Sequence, residues 1–320
     1  MLYTFLKIWV RLGATIFCRR IIVNLPQHLK DEGPLLIAAN HPNSFLDAII
    51  IDILFGKPVW SLARGDVFRK AGYIRVLNKL KILPVYRTTE GVENLEINYK
   101  TFDACKEIFK ENGIVLMFSE GRCINEWHLR PLKKGTARLA LSAWEDGIPL
   151  KVLPAGINFS SFSLFGKNVF LNFGKIISVA DVERSGSDGI AHASFNEVLR
   201  KELTPLVYEI ADNDHEKQRR MLSVPIPLWK KIILFVPALT GMILHAPLYY
   251  PAYWFTIGKT KRNDHFDSVM TAIVVFLYPF YLVLISCLLY YFTGSALSWT
   301  AIVLLPLTAR ASVEVKRQVE

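Results

Sequence analysis

The chain has four cysteines in 320 residues: Cys18, Cys105, Cys123 and Cys287. No two form a C-x-x-C pair and none stands at a Cys/His ligand spacing, so neither a zinc site nor a disulfide framework is indicated. A reducing, cytosol-facing compartment is expected. The N-terminus lacks the n-region, short apolar core and small-residue cleavage site of a signal peptide. There is no internal repeat and no low-complexity tract, so repeat architectures are set aside. Acidic residues are in the minority, with 28 against 38 Lys and Arg for a net charge of +10, and no acid precedes Asp31. No nucleic-acid fold signature accompanies this basic excess.

Hydrophobic residues are plentiful at 52%. They are densest after residue 226, which divides the chain into an amphipathic segment 1–23, a mixed domain 24–225 and an apolar region 226–320. In 1–23, Phe5, Trp9, Leu12 and Ile16 share one helical face with Leu2 and Leu6, while Lys7 and Arg11 lie opposite. With Arg19 and Arg20 following, this suits a helix lying in a membrane interface. A core helix of the globular domain is the alternative.

Asn40 to Asp47 (NHPNSFLD) organises the mixed domain. A short apolar run, Leu35 to Ala39, precedes it and reads as a buried strand. Asn43 and Ser44 are good N-cap residues for a helix that carries Asp47 in its first turns. His41 therefore falls at a strand end, where open α/β sheets bind ligands. A histidine there can take a proton from a hydroxyl at neutral pH, and a carboxylate on its other ring nitrogen fixes the tautomer. Taken alone, such a pair is more often a helix cap and a surface acid.

Further strands are expected at Pro58–Ala63, Lys81–Tyr86, Ile114–Phe118 and Leu150–Phe159, with a sheet edge at Asn168–Ile177. Helices are expected at Asn98–Asn112, from about Leu129 to Asp146, and from the Ser194-x-x-Glu197 capping box to Ala211. Residues 212–220 read as a charged connector. Arg87, after the 81–86 strand, can grip a phosphate with its planar fork. Ser119-Glu120-Gly121-Arg122 follows the 114–118 strand, and Gly121 permits a tight turn aimed at an anion. Arg130, Lys133 and Lys134 either add to that positive field or face water. Cys105 reads as core, and Cys123 lacks an evident partner base. His28, His128 and His192 read as structural or surface residues. Residues 57–87 hold eight Lys or Arg and one acid, Asp66. This basic surface suits anionic lipid or an acidic carrier protein.

Four stretches, NHPNSFLD, ILPVYR, LMFSEGR and VLPAGINF, stand in the order found in the glycerolipid acyltransferase superfamily, and residues 35–160 resemble that family. It contains the lysophosphatidic-acid (PlsC-like) and glycerol-3-phosphate acyltransferases. The resemblance implies an α/β fold, a mostly parallel sheet flanked by helices. It implies His41 as general base, Asp47 as its orienting acid and Arg87 as the ligand of the acceptor phosphate. Glu120 and Gly121 match the third motif, and Pro154 the fourth. Arg122 and Lys134 are further candidates for substrate binding. The implied reaction moves a fatty acyl group from a thioester, acyl-CoA or acyl carrier protein, to the hydroxyl of 1-acyl-glycerol-3-phosphate. No metal or redox cofactor is implied. Alternative acceptors are glycerol-3-phosphate, dihydroxyacetone phosphate and a lyso-amino-acid lipid. A catalytically silent lipid-binding protein is the non-enzymatic alternative.

The departures from the pattern are specific. Five residues separate His41 from Asp47 where the family usually has four, which moves Asp47 around its helix. The longer spacing resembles some fungal glycerol-3-phosphate/dihydroxyacetone-phosphate acyltransferases, as does Leu132-Lys133-Lys134-Gly135. Ser119 stands where the third motif usually has proline, and the motif's arginine usually lies one residue after Arg122.

Trp229–Thr256 and Ser268–Ala309 are long enough for membrane segments. The basic residues lie at 230/231, 259/261/262 and 310/316/317. The positive-inside rule makes all three sites cytosolic, so each segment enters and returns on one side. The second is expected to be a helical hairpin turning near Gly294. The first is expected to be a re-entrant hairpin turning between His245 and Pro251, with a single straight span as the alternative. The mixed domain is expected on the cytoplasmic face of a membrane, a bacterial inner membrane.

Overall fold

In the computed structural model the described residues are 1–68, 71–86, 93–261 and 263–319. Seven strands form one sheet: β1 (Cys18–Val23), β2 (Leu35–Ala39), β3 (Val59–Arg64), β4 (Ile82–Val85), β5 (Ile114–Phe118), β6 (Lys151–Phe159) and β7 (Lys167–Phe173). Their order is β1-β7-β6-β2-β5-β3-β4, and every pairing is parallel except β6 with β7. The central strands are apolar on both faces because both faces are covered.

The helices are α1 (Leu2–Phe17), α2 (Phe45–Leu54), α3 (Ala71–Lys79), α4 (Glu93–Lys110), α5 (Lys134–Glu145), α6 (Asp188–Leu203), α7 (His215–Leu222), α8 (Leu228–Thr260), α9 (Phe266–Thr293) and α10 (Ala301–Val315). On one face of the sheet Leu36, Ala38, Val115 and Met117 meet Phe109 of α4, Ala140 of α5 and Phe195 of α6. On the other, Leu35, Ile37, Ala39 and Leu116 meet Ile50 of α2, Phe17 of α1 and Val275 of α9. The result is three layers, helices on both faces of a mostly parallel sheet.

Several expectations are corrected. The N-terminal helix ends at Phe17, and residues 18–23 are strand β1, parallel to β7. β-Branched Ile21, Ile22 and Val23 favour the strand once a partner edge exists. The 167–173 strand is therefore second in the sheet rather than its edge. Trp9 of α1 turns inward, its Nε1 donating to the Val275 carbonyl at 3.3 Å. Leu2, Phe5, Ile8 and Leu12 are the exposed apolar row. α6 starts at Asp188 behind Ser187, one and a half turns before the Ser194 capping box. The 212–220 connector contains α7, whose N-cap Asp214 accepts the Lys217 N–H.

After residue 226 three helices, 228–260, 266–293 and 296–315, are long and apolar enough to cross a membrane. The turn expected at Gly294 is present, with Gly294 at φ +62° and its N–H donating to the Tyr290 carbonyl. No break in the helix marks the turn expected at His245–Pro251, yet the chain does come back: Ala238 and Gly241 lie against Ser312 and Thr308 of α10, and Thr256 lies against Met270 near the start of α9. α8 is one helix of 33 residues, with Pro237, Pro247 and Pro251 inside it. At a rise of 1.5 Å per residue it is about 50 Å long. Neighbouring helices bond its backbone near the prolines: Ser312 Oγ of α10 donates to the Ala238 carbonyl at 2.7 Å and the Tyr281 hydroxyl of α9 to the Leu244 carbonyl. His245, mid-helix, pairs with the Gly241 carbonyl at 2.7 Å and the Tyr278 hydroxyl at 3.0 Å.

Both ends of α8 nonetheless lie at the α/β domain. At its start Lys230 pairs with Glu314 at 3.0 Å, and Glu314 also binds Arg20 of β1 at 2.5 Å. Near its end Tyr253 meets Phe266 and Thr256 meets Met270, both on the first turns of α9.

Candidate active site

The site is assembled where two neighbouring strands end in register. Ala39, last in β2, pairs with Phe118, last in β5. His41 and Glu120 each lie two residues further on, so the loops they carry run side by side. The His41 N–H donates to Glu120 Oε2 at 2.9 Å, and the Arg130 N–H donates to Glu120 Oε1 at 2.9 Å. Glu120, 3% exposed, thus spends both oxygens on backbone donors. These two bonds tie the start of the 119–130 loop to His41 and to Arg130, the residue before Pro131. Burial pushes the Glu120 carboxyl up, and these two bonds pull it back. The Ile124 N–H donates to the His41 carbonyl and Asn125 Nδ2 to the Pro42 carbonyl, so the 119–130 loop wraps the histidine.

His41 Nδ1 lies 2.8 Å from Asp47 Oδ2. The imidazole is stacked on Phe118, with ring centroids 3.9 Å apart and planes within 7°. Its side chain is 19% exposed, and among the described residues Nε2 has no hydrogen-bond partner. Asp47 is completely buried. Burial pushes its carboxyl above the ordinary range, opposed by the bonds from His41 and from the Asn43 N–H at 2.8 Å. A buried carboxylate on Nδ1 and an open Nε2 together make an oriented proton acceptor.

The extra residue between His41 and Asp47 does not displace the acid. Ser44 absorbs it by adopting φ +55°, ψ −142°, which turns the chain into α2 with Asp47 in the first turn. A positive φ at a residue with a Cβ costs about 1–2 kcal/mol. Two contacts hold it there: Cys123 Sγ accepts the Ser44 N–H at 2.9 Å, and His265 Nδ1 lies 2.6 Å from Ser44 Oγ. Cys123 is thereby a structural thiol, pushed upward by burial and by Asp47 nearby. Cys105 is wholly buried and pushed up to about 12.

Gly121 sits at φ +65° in the turn after β5, beside Lys133. Arg122 on that turn and Lys134, which opens α5, are both exposed; among the described residues neither shares a hydrogen bond or ion pair with His41 or Asp47. Arg87 lies outside the described residues. Pro154 lies within β6, opposite Ala38. Asn40 clamps β2 to β6, donating to the Ile157 carbonyl at 3.0 Å and accepting its N–H at 2.8 Å. Two histidines have partners that were not foreseen: His28 with Asp31 at 2.6 Å, and His128 with Glu209 at 2.5 Å.

Sequence reasoning missed the apolar module's part in this site. Asp267 Oδ2 accepts from Asn43 Nδ2 at 2.7 Å and pairs with buried Lys167. Ser268 Oγ accepts the Leu46 N–H at 3.2 Å. The one signal was an acid, Asp267, at the mouth of a long uncharged run.

Residues 20–158 match the sequence family described as Acyltransferase. That stretch is an acyltransferase domain. The matched stretch contains the first three motifs, the fourth up to Asn158, and the His41–Asp47 pair, in keeping with the resemblance those motifs carry. Comparison with curated proteins gives no significant match. Among solved structures the acyltransferase is similar to the 1-acyl-sn-glycerophosphate (LPA) acyltransferase PlsC from Thermotoga maritima, at 17% identity and a TM-score of 0.43, over 63% of this chain and 79% of that one.

Proposed function

We propose that this acyltransferase moves a fatty acyl group from a thioester to the hydroxyl of 1-acyl-glycerol-3-phosphate at a membrane surface. The observation that carries the proposal is the His41–Asp47 pair at 2.8 Å, with Nε2 open and three membrane-length helices beside it. His41 Nε2 takes the proton of the acceptor hydroxyl as its oxygen attacks the thioester carbonyl. The C–S bond breaks as the C–O bond is made, and the imidazolium returns its proton to the departing thiolate. Asp47 holds the ring in the Nδ1–H tautomer and stabilises the imidazolium. General-base assistance of this kind contributes about 10²–10⁴-fold, and alignment of hydroxyl with thioester supplies much of the remainder.

Arg87, with Arg122 and Lys134, is proposed to hold the acceptor phosphate. The donor is acyl-CoA or an acyl carrier protein, and the reaction needs no metal or redox cofactor. The α/β domain is proposed to face the cytoplasm; the basic flanks of α8, both on its side, support this. A second acceptor, glycerol-3-phosphate or dihydroxyacetone phosphate, is favoured by the five-residue spacing between His41 and Asp47. A lyso-amino-acid lipid is the third acceptor to try.

The test is thioester consumption by membranes carrying the wild-type chain or His41→Ala, with each acceptor and both donor classes. Transfer that depends on 1-acyl-glycerol-3-phosphate and is lost in His41→Ala supports the proposal. Transfer to another acceptor alone renames the substrate, and no transfer with any acceptor overturns it.

A further inference from the structure

The loop between β2 and α2 is held from outside the α/β domain. Three residues at the start of the apolar hairpin reach two residues of the loop, Asn43 and Ser44, and Leu46 in the first turn of α2. His265 Nδ1 meets Ser44 Oγ at 2.6 Å, Asp267 Oδ2 accepts from Asn43 Nδ2 at 2.7 Å, and Ser268 Oγ both accepts the Leu46 N–H and donates to the Asn43 carbonyl, each at 3.2 Å. Asn43 and Ser268 are fully buried, and Asp267 and Lys167 are nearly so.

These contacts lead to the dyad by one route. Among the described residues Asp47 Oδ1 has no hydrogen-bond partner, so His41 and the Asn43 N–H, both on Oδ2, hold this buried carboxylate. The Asn43 side chain has an unpartnered Oδ1 as well, so its Nδ2 bond to Asp267 is what fixes it. Asp267 is in turn anchored by Lys167, the first residue of β7. A buried ion pair seldom stabilises a fold more than well-packed apolar residues of similar volume. What an apolar pair here would lack is the acceptor oxygen presented to Asn43.

We propose that Asp267, on the first turn of α9, is a positioning residue for the His41–Asp47 pair, acting through Asn43 and held by Lys167. Seating of the apolar hairpin on the α/β domain then sets the rate of acyl transfer. This rests on the reading of His41 as general base.

The test compares two double variants of the full chain in lipid nanodiscs, Lys167→Met/Asp267→Asn and Lys167→Met/Asp267→Leu. Both remove the buried charges, and the two replacements at 267 are similar in volume. Only asparagine keeps an acceptor for Asn43. The asparagine variant is expected to keep kcat within about three-fold of wild type and the leucine variant to lose about 30-fold, with KM for donor and acceptor within about two-fold in both, since a misplaced group costs rate more than affinity. Hydrogen exchange of the peptide covering 41–47 is expected to be about ten-fold faster in the leucine variant alone. Equal kcat and equal exchange in the two variants would overturn the proposal. If the wild-type chain transfers no acyl group, the catalytic reading fails, and exchange still decides the positioning. Should the leucine variant not fold, Lys167→Met/Asp267→Ala removes the same acceptor with a smaller side chain. It is expected to show the same kcat loss at constant KM, at about ten-fold, and wild-type kcat there would also overturn the proposal.

Discussion

Replacing Asp47 by asparagine should separate stability from activity. The side chain is completely buried, its Oδ2 accepts from His41 Nδ1 and the Asn43 N–H, and among the described residues its Oδ1 has no partner. Asparagine keeps the shape, and its oxygen can accept the Asn43 N–H. Its amide then donates to Nδ1, so the imidazole proton moves to Nε2, the nitrogen proposed to receive the substrate proton. A wrong tautomer of this kind costs about 10⁴-fold in the serine-protease triad. A loss of about 10³–10⁴-fold in kcat is expected here, or about 4–5.5 kcal/mol of barrier at 1.36 kcal/mol per decade. Stability should move the other way. Burial raises the Asp47 carboxyl, so the folded chain keeps this proton to higher pH than the unfolded chain does. The site's contribution to stability is greatest at low pH, falls as pH rises past the ordinary value of 3.8, and levels off above the folded value. The asparagine variant lacks that decline, so its advantage in Tm should grow from pH 4 upward. The assays are single-turnover acyl transfer and thermal unfolding in detergent from about pH 4 to pH 8. A variant retaining more than about a tenth of wild-type kcat, or melting well below wild type at pH 7, would refute the reasoning.

Three further outcomes follow from the same geometry. Glu314→Gln leaves Arg19, Arg20, Lys230 and Arg310 around a neutral group. A loss of about 2–3 kcal/mol is expected, below the range for a fully buried pair because three of the cations are a third exposed, and a fall in Tm in detergent would report it. Gly121→Ala adds a Cβ at φ +65° that would lie 3.1 Å from Lys133 Cγ. It should cost about 1–2 kcal/mol by denaturant titration. Cys123, raised by burial and serving as acceptor for the Ser44 N–H, should resist iodoacetamide at pH 8. Cys123→Ser should keep activity within about five-fold, because the thiol shapes Ser44 rather than reacting; peptide mass spectrometry reads the first and thioester release the second.

The sequence alone determined the elements whose signal is local. Leu35–Ala39, Ile114–Phe118 and Lys151–Phe159 are apolar on both faces, a pattern that strands buried between two helical layers require. His41, Asp47, Glu120 and Gly121 follow two of those strands directly, so chain order sufficed to gather them. The turn at Gly294 was legible because glycine tolerates a positive φ that ends a helix.

What tertiary structure decided depends on partners distant in the chain. Residues 18–23 become a strand because β7, about 150 residues later, offers an edge. The proline-bearing segment after Leu228 remains one helix because α9 and α10 pack along it, an outcome local propensity opposes. The acceptor of the His41 N–H, the ring beneath His41, and the Lys167–Asp267 pair that braces Asn43 arise only when separate loops meet. Hydrogen bonds and ion pairs act over about 3 Å and leave no periodic trace along the chain. The pairing of His41 with Asp47 was therefore readable from one short stretch, while the contacts that hold it in place required the fold.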